Sequence, residues 1–211
     1  MQFKIVFLFL LIGLKIFSQA DSVKFIFGSP ISDGVYLTYN DFRRNDAISK
    51  EEISSTLDKS QLNFMEKSVT EKEFFYQKNN VSYRINPKNI FGFIQNNTLY
   101  INHEGEFFRV PVFGSISYMI ISVIVPVPAG MYFGTTGVMG GTTYTRELRE
   151  FLMNFYDGKL VEMKRTTVEN FLSRDKELFA EYKKLNRRKR KKEIYLYIRK
   201  FNERNPVYFL K

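Results

Sequence analysis

Residues 116–144 read ISYMIISVIVPVPAGMYFGTTGVMGGTTY, and nothing from Ile116 to Phe133 is charged. A helix over that run would be a candidate bilayer span, whereas a strand would belong to a protein core. β-branched Ile and Val dominate it, and Pro126 and Pro128 stand in its middle. Both features oppose a continuous helix. The expectation is therefore a buried strand, broken at the prolines and followed by a Gly/Thr-rich loop. A membrane-inserted segment and a ligand-covering loop are the alternative readings.

The segments before this run point the same way. EFFYQKNNVSYRI holds two short strand patterns around Asn79-Asn80, and IFGFIQNNTLYIN repeats them around Asn96-Asn97. HEGEFFRVPVFG adds a Gly-centred turn and another strand. Asn tolerates the left-handed backbone that tight hairpins require. Regular short strands separated by turns predict an antiparallel β-meander or a small barrel. Nearer the start, Val23–Phe27 predicts a short strand, Asp33-Gly34 a turn and Val35–Tyr39 a second strand. Thr38 and Asp41 also fit a capping box for one helical turn, and these last two readings stay open. Residues 46–70 are polar and predict a long connection with one short helix.

After the apolar run the periodicity changes. ELREFLMNFYDGKLVEM predicts a hairpin turning at Asp157-Gly158, although Leu148, Leu152 and Phe155 would also suit a helix. Thr166 or Thr167 can cap a helix over VENFLS, and Asp175 can cap KELFAEYKKL, whose Leu178, Phe179, Tyr182 and Leu185 form an apolar stripe. RRKRKKEIYLYIRKFNERN continues with Ile194, Tyr197, Ile198 and Phe201 on one face, and Asn205-Pro206 stops it. Strands first and helices last give an α+β class: an antiparallel β-meander or small barrel followed by C-terminal helices. The expected organisation is a leader over 1–20, a β-rich region over 21–145, and a hairpin with basic helices over 146–211, the last two able to form one domain.

Composition narrows the chemistry. The 211 residues are 44% hydrophobic, with 22 Phe and 13 Tyr, enough to build a core. There is no cysteine, so disulfides, zinc-thiolate sites, cysteine nucleophiles and lipid attachment at a cysteine are excluded. His103 is the sole histidine, which excludes a multi-histidine metal site. No metal and no cofactor is implied.

The first residues, MQFKIVFLFLLIGLKIFSQADS, carry Lys4, an apolar stretch from Ile5 to Leu14, and small residues at Ser18 and Ala20. That layout predicts a secretory signal peptide cleaved after Ser18 or Ala20; an uncleaved anchor is the alternative. The expected location is outside the cytosol, in a periplasm or associated with an outer membrane. Charge is uneven. From Asp21 to Thr145 there are 11 basic and 12 acidic residues, whereas Arg146–Lys211 holds 19 basic and 10 acidic. The formal charge of +10 thus lies almost wholly in the last third and points to something anionic.

Three stretches then carry a resemblance: Gly34–Phe42 (GVYLTYNDF), RELREFLMNFYDGKLVEM, and the Lys/Arg cluster followed by YIRKFNERNPVYF. Together they resemble a group of uncharacterised exported proteins common in Bacteroidota. The resemblance covers the first and last parts of the chain beyond the leader. It implies an envelope location and no particular activity.

The basic cluster, Lys183, Lys184, Arg187, Arg188, Lys189, Arg190, Lys191 and Lys192, is the candidate binding site. Its partners would be anionic lipid, lipopolysaccharide or an acidic envelope protein, with peripheral membrane contact. A solvated helix face without a dedicated partner is the plain alternative, at the cost of repulsion between like charges. Nucleic acid would need phosphate contacts from this run and stacking on Tyr195 and Tyr197, and the leader argues against that. No catalytic residue is nominated. The one enzymatic alternative uses His103 with Glu104 or Glu106 as an oriented base. GTTGVMGG lacks the Lys-Ser/Thr ending of a P-loop, and no carboxylate pair stands out for glycoside chemistry. The leading expectation is a non-catalytic exported envelope protein, binding or structural, whose basic helix faces an anionic surface.

Overall fold

The computed structural model describes residues 22–24, 31–128 and 142–210. The expected leader and the GTTGVMGG stretch lie outside them. In chain order the described elements are β1 (Ser22–Lys24), β2 (Gly34–Tyr36), α1 (Tyr39–Arg43), α2 (Phe64–Thr70), β3 (Phe74–Lys78) and β4 (Val81–Ile85). A 3-10 turn at Pro87–Asn89 leads to β5 (Gly92–Gln95), β6 (Thr98–His103), β7 (Glu106–Arg109), β8 (Ile116–Pro128), β9 (Thr142–Asn154) and β10 (Leu160–Glu162). Then come α3 (Arg165–Leu172), α4 (Lys176–Lys184), α5 (Arg187–Lys192), α6 (Ile194–Arg204) and β11 (Tyr208–Leu210). The class is α+β, as the sequence predicts.

The hairpins form where their turn chemistry puts them. Asn79, Asn80, Asn96 and Asn97 all have φ between 52° and 62°, which a two-residue turn of the primed type needs at both central positions. Asp33 supports the second turn, its carboxylate accepting from the Asn96 N–H at 2.9 Å and the Asn97 N–H at 3.3 Å. Glu104 and Gly105 turn the chain between β6 and β7 in the same left-handed region. The result is a four-stranded antiparallel sheet in the order β2-β5-β6-β7, with β3-β4 as a separate hairpin. These are open sheets, not a closed barrel. Both readings near the start are realised in succession: β2 ends at Tyr36, and Thr38 with Asp41 forms the capping box of α1.

From Ile116 to Pro128 the apolar run is a strand, and the rest of the run and the expected Gly/Thr-rich loop lie outside the described residues. β8 pairs with β9 in unbroken antiparallel register from Ile116↔Asn154 to Pro128↔Thr142. The expected break at the prolines does not occur. The Ile116 and Tyr118 N–H groups point away from β9, to the Asn202 side chain and the Val112 carbonyl. Pro126 and Pro128 share their parity, so the donors they lack belong on the outer edge of β8, where the β8–β9 ladder does not need them. β10 completes this sheet on the far side of β9, and Gly158 (φ +69°) makes the turn at Asp157-Gly158.

Alternation along the strands then stacks the layers. Tyr36, Ile94, Leu99 and Ile101 of the first sheet face Met119, Ile121 and Met153 of the second, sharing a core with Phe42, Phe155 and Phe209. Around Phe42 the rings of Tyr36, Phe91, Phe113, Phe155 and Phe209 lie 5.4–6.3 Å away, centroid to centroid. The other face of the first sheet, through Val35 and Phe93, is covered by α2 and the β3-β4 hairpin. The other face of the second, through Ile116 and Leu152, is covered by α3, α4 and α6. Asn202 of α6 clasps the start of β8: it accepts from the Ile116 N–H and donates to the Ile116 carbonyl, both at 2.8 Å. A Cβ at Gly114 would lie 2.5 Å from the Asn202 Cγ, so glycine is required at that approach.

The C-terminal helices differ from expectation in two ways. The basic run does not continue one helix. α4 ends at Lys184, Asn186 caps α5 by accepting from the Lys189 N–H at 2.9 Å, and Glu193 separates α5 from α6. Neither Thr166 nor Thr167 caps α3; both lie inside it and Lys164 occupies the cap position. No helix among the described residues is long and apolar enough to cross a membrane.

Candidate basic cleft

Where α5 folds back beside the start of α3, the surface opens into a cleft of about 1090 Å³. Lys164, Arg165, Arg187, Arg188, Lys191 and Lys192 line it together with Met163, Thr166, Tyr182, Ile194, Tyr195 and a single carboxylate, Glu150. Helical geometry explains the set from α5. Positions 187, 188, 191 and 192 stand one turn apart in pairs and share a face. Arg190 lies on the opposite face and pairs with Glu169 at 3.0 Å.

The predicted cluster is thereby divided. Arg187, Arg188, Lys191 and Lys192 border the cleft. Lys183 and Arg190 instead meet Glu169, at 3.2 and 3.0 Å, with Arg165 a further 3.8 Å from the same carboxylate. Lys184 and Lys189 are exposed outside the cleft. Lys164 and Arg165, which charge counting along the run does not single out, join from the start of α3.

Three phenols supply hydroxyl donors. The Glu150 carboxylate accepts from Tyr118 at 3.0 Å and from Tyr195. Burial pushes the pKa of both phenols up, and their hydrogen bonds to Glu150 push the same way. Tyr182 is fully buried, and its hydroxyl has no hydrogen-bond partner among the described residues. Burial raises its pKa, Glu169 adds to the rise, and Arg190 and Arg165 oppose it. At neutral pH it is an O–H donor, and an unpaired buried hydroxyl is costly without a ligand or water. The start of α3 adds a further positive element. Lys164 at its cap position makes no side-chain cap hydrogen bond, so the positive end of its dipole stands beside Lys164 and Thr166 of the cleft lining.

The other predicted sites fare differently. Tyr197 cannot stack on a base: it is buried, its ring meets Tyr182 edge-on at 4.9 Å, and its hydroxyl donates to Glu181. Burial, then that hydrogen bond, pushes its pKa up to about 12. His103 and Glu106 are cross-strand partners, but Glu106 is held by both terminal nitrogens of Arg146, at 2.9 and 3.2 Å. His103 lies against Phe151, and Glu104 is an exposed turn residue. Among the described residues no hydrogen bond joins His103 to Glu104 or Glu106.

No curated protein and no solved structure matches this chain. Residues 34–205 match a family described as a family of unknown function (DUF6563). The match takes in every element from β2 to α6, so the chain belongs to that family.

Proposed function

We propose, for this member of a family without an assigned function, a binding role: the basic cleft takes up an anionic group of the phosphate class. One observation carries the reading. Six cations line the cleft and Glu150 is the one carboxylate in its lining; Lys164 also meets Glu162 at 2.7 Å and Arg165 meets Glu169 at 3.8 Å, so the surplus positive charge comes chiefly from Arg187, Arg188, Lys191 and Lys192, while Glu150 already accepts hydrogen bonds from two phenols. The start of α3, where Lys164 stands at the cap position without a side-chain cap, supports it, because the positive end of a helix favours an oxyanion. The binder is non-catalytic and exported, and it meets its anionic partner in the cell envelope; the leader-like residues 1–20 support that placement.

Calorimetric titration with inorganic phosphate tests the cleft. Parent protein is expected to bind, with affinity that falls as sodium chloride rises. The double substitution Arg187→Glu, Lys191→Glu is expected to weaken binding at least tenfold while leaving thermal unfolding near the parent's, since both side chains are exposed. Equal binding by parent and variant would remove the cleft from the function. Fractionation of cells, with sequencing of the mature N-terminus, tests the exported location.

A further inference from the structure

The outer half of the β8-β9 pair is a second unusual surface. β10 accompanies β9 only as far as Glu162 opposite Phe151, and the helices cover the pair only near Ile116 and Leu152. Beyond that point, among the described residues, the pair has no third strand hydrogen-bonded to it; Arg146 reaches Glu106 of β7 at 2.9 and 3.2 Å, and Val123 still packs against the core. The register sets Ile120 opposite Glu150, Ser122 opposite Leu148, Ile124 opposite Arg146 and Pro126 opposite Tyr144. Strand alternation puts these side chains on one face. Ile120 is 46% exposed, Ile124 59%, Tyr144 73% and Leu148 78%. Ser122, Arg146 and Glu150 share this face, yet four large apolar side chains stand exposed among them; a ribbon in water is expected to be polar on such a face, and a cluster of exposed apolar side chains marks an interaction surface.

We propose that this face seats the protein on an anionic phospholipid surface, with its apolar side chains at the acyl boundary and lipid phosphates in the adjoining cleft. The inference rests on the anion-binding reading and names its partner. Continuity is the first argument. Glu150, opposite Ile120 on the ribbon face, also lines the cleft, so the two surfaces adjoin at that residue, whose carboxylate is taken up by the Tyr118 and Tyr195 hydroxyls. Charge is the second. An anionic bilayer offers apolar and negative layers side by side, in the same arrangement as the ribbon face and the cleft. Tyr195, 46% exposed and hydrogen-bonded to Glu150 at the junction, adds an amphipathic ring there. Edge chemistry is the third. Pro126 and Pro128 remove donors from the outer edge of β8, which opposes strand addition by a second chain along that edge.

Co-sedimentation with vesicles tests the proposal, using the chain as cells process it and the same N-terminus for every variant. Parent protein is expected to bind vesicles of phosphatidylglycerol mixed with phosphatidylcholine, and to bind pure phosphatidylcholine at least tenfold more weakly. Ile124→Asp with Leu148→Asp is expected to lower binding to the mixed vesicles at least tenfold. That variant should keep the parent's affinity for inorganic phosphate and its circular dichroism, which shows that fold and cleft are intact. Undiminished vesicle binding by the ribbon variant overturns the seat while leaving the cleft reading standing. Loss of phosphate binding in the cleft variant, with the ribbon variant still failing to bind vesicles, supports both. Equal binding to the two vesicle types, or no binding to either, overturns the anionic-lipid partner. A parent dimer in light scattering that the ribbon variant abolishes makes the face a contact between copies of this chain, and overturns it as well.

Discussion

Asp175 shows how one side chain can hold two elements. It caps α4 by accepting from the Leu178 N–H at 3.0 Å, and the Arg204 guanidinium of α6 approaches both its oxygens at 2.5 and 3.1 Å. The backbone hydrogen bond first, then Arg204, holds its carboxyl below the ordinary aspartate pKa. A carboxyl depressed by folding contributes stability that is whole above its unfolded value, about 3.9, and is lost as pH falls through the folded one. Asp175→Asn separates the two roles, because Asn caps as well as Asp but cannot pair with Arg204. The variant is expected to be less stable than the parent at pH 7 by up to about 1 kcal/mol. Urea denaturation should show that gap closing by pH 3, and a gap independent of pH would mean that charge plays no part. Such a cap was legible in the sequence, since Asp ahead of an apolar stripe is a local signal. Its partner Arg204 was not, because 29 residues separate the two.

At the scale of elements, α5 is the least self-sufficient piece of the fold. All six of its residues are basic, none is buried, and like charges one turn apart repel. What holds it is the Asn186 cap and the pairing of Arg190 with Glu169, a carboxylate that also takes Lys183. Glu169→Gln is therefore expected to destabilise the protein by about 1–2 kcal/mol. Hydrogen exchange should rise most in residues 187–192, and uniform exchange along α3 to α6 would refute a dedicated tie. The sequence showed that this run was helical and charged, but not that it breaks twice. Leu185 and Asn186 suit a helix interior well enough. The break arises because Tyr182 before it and Tyr197 after it must reach one core, which is a tertiary demand. The start of α3 slipped for a related reason. Met163 still donates to the Glu150 carbonyl of β9, so the chain leaves the sheet there and turns straight into the helix before either threonine can cap it. The hairpins, by contrast, were legible because each Asn-Asn pair specifies its own backbone without help from remote residues.

Over the whole molecule, two sheets and a helical layer share strands that are apolar on both sides. That arrangement is why residues 116–125 look like a membrane segment: a strand covered on both faces for part of its length shows no alternation. The cleft was invisible for a different reason. It joins Lys164 and Arg165 to Arg187 and Lys191 across α4, and charge counting cannot tell which cations of a run turn the same way. If the layers fold as one unit, the contact between α6 and β8 must be strong, and Asn202 is where that can be measured. Its amide satisfies both backbone groups of Ile116 at 2.8 Å, on an edge that β9 does not reach. Asn202→Leu fits the apolar surroundings but orphans a donor and an acceptor, each costing about 1–3 kcal/mol if left buried. A loss of about 2–4 kcal/mol in a single unfolding transition is expected, read by urea denaturation with circular dichroism and tyrosine fluorescence superimposing. Separation of the two signals, with helical content lost before the sheet's aromatic core opens, would show instead that α3, α4 and α6 dock on a sandwich able to stand without them. The position of the cleft, walled by β9 on one side and by helices on the other, would then depend on a weaker contact than Asn202 provides.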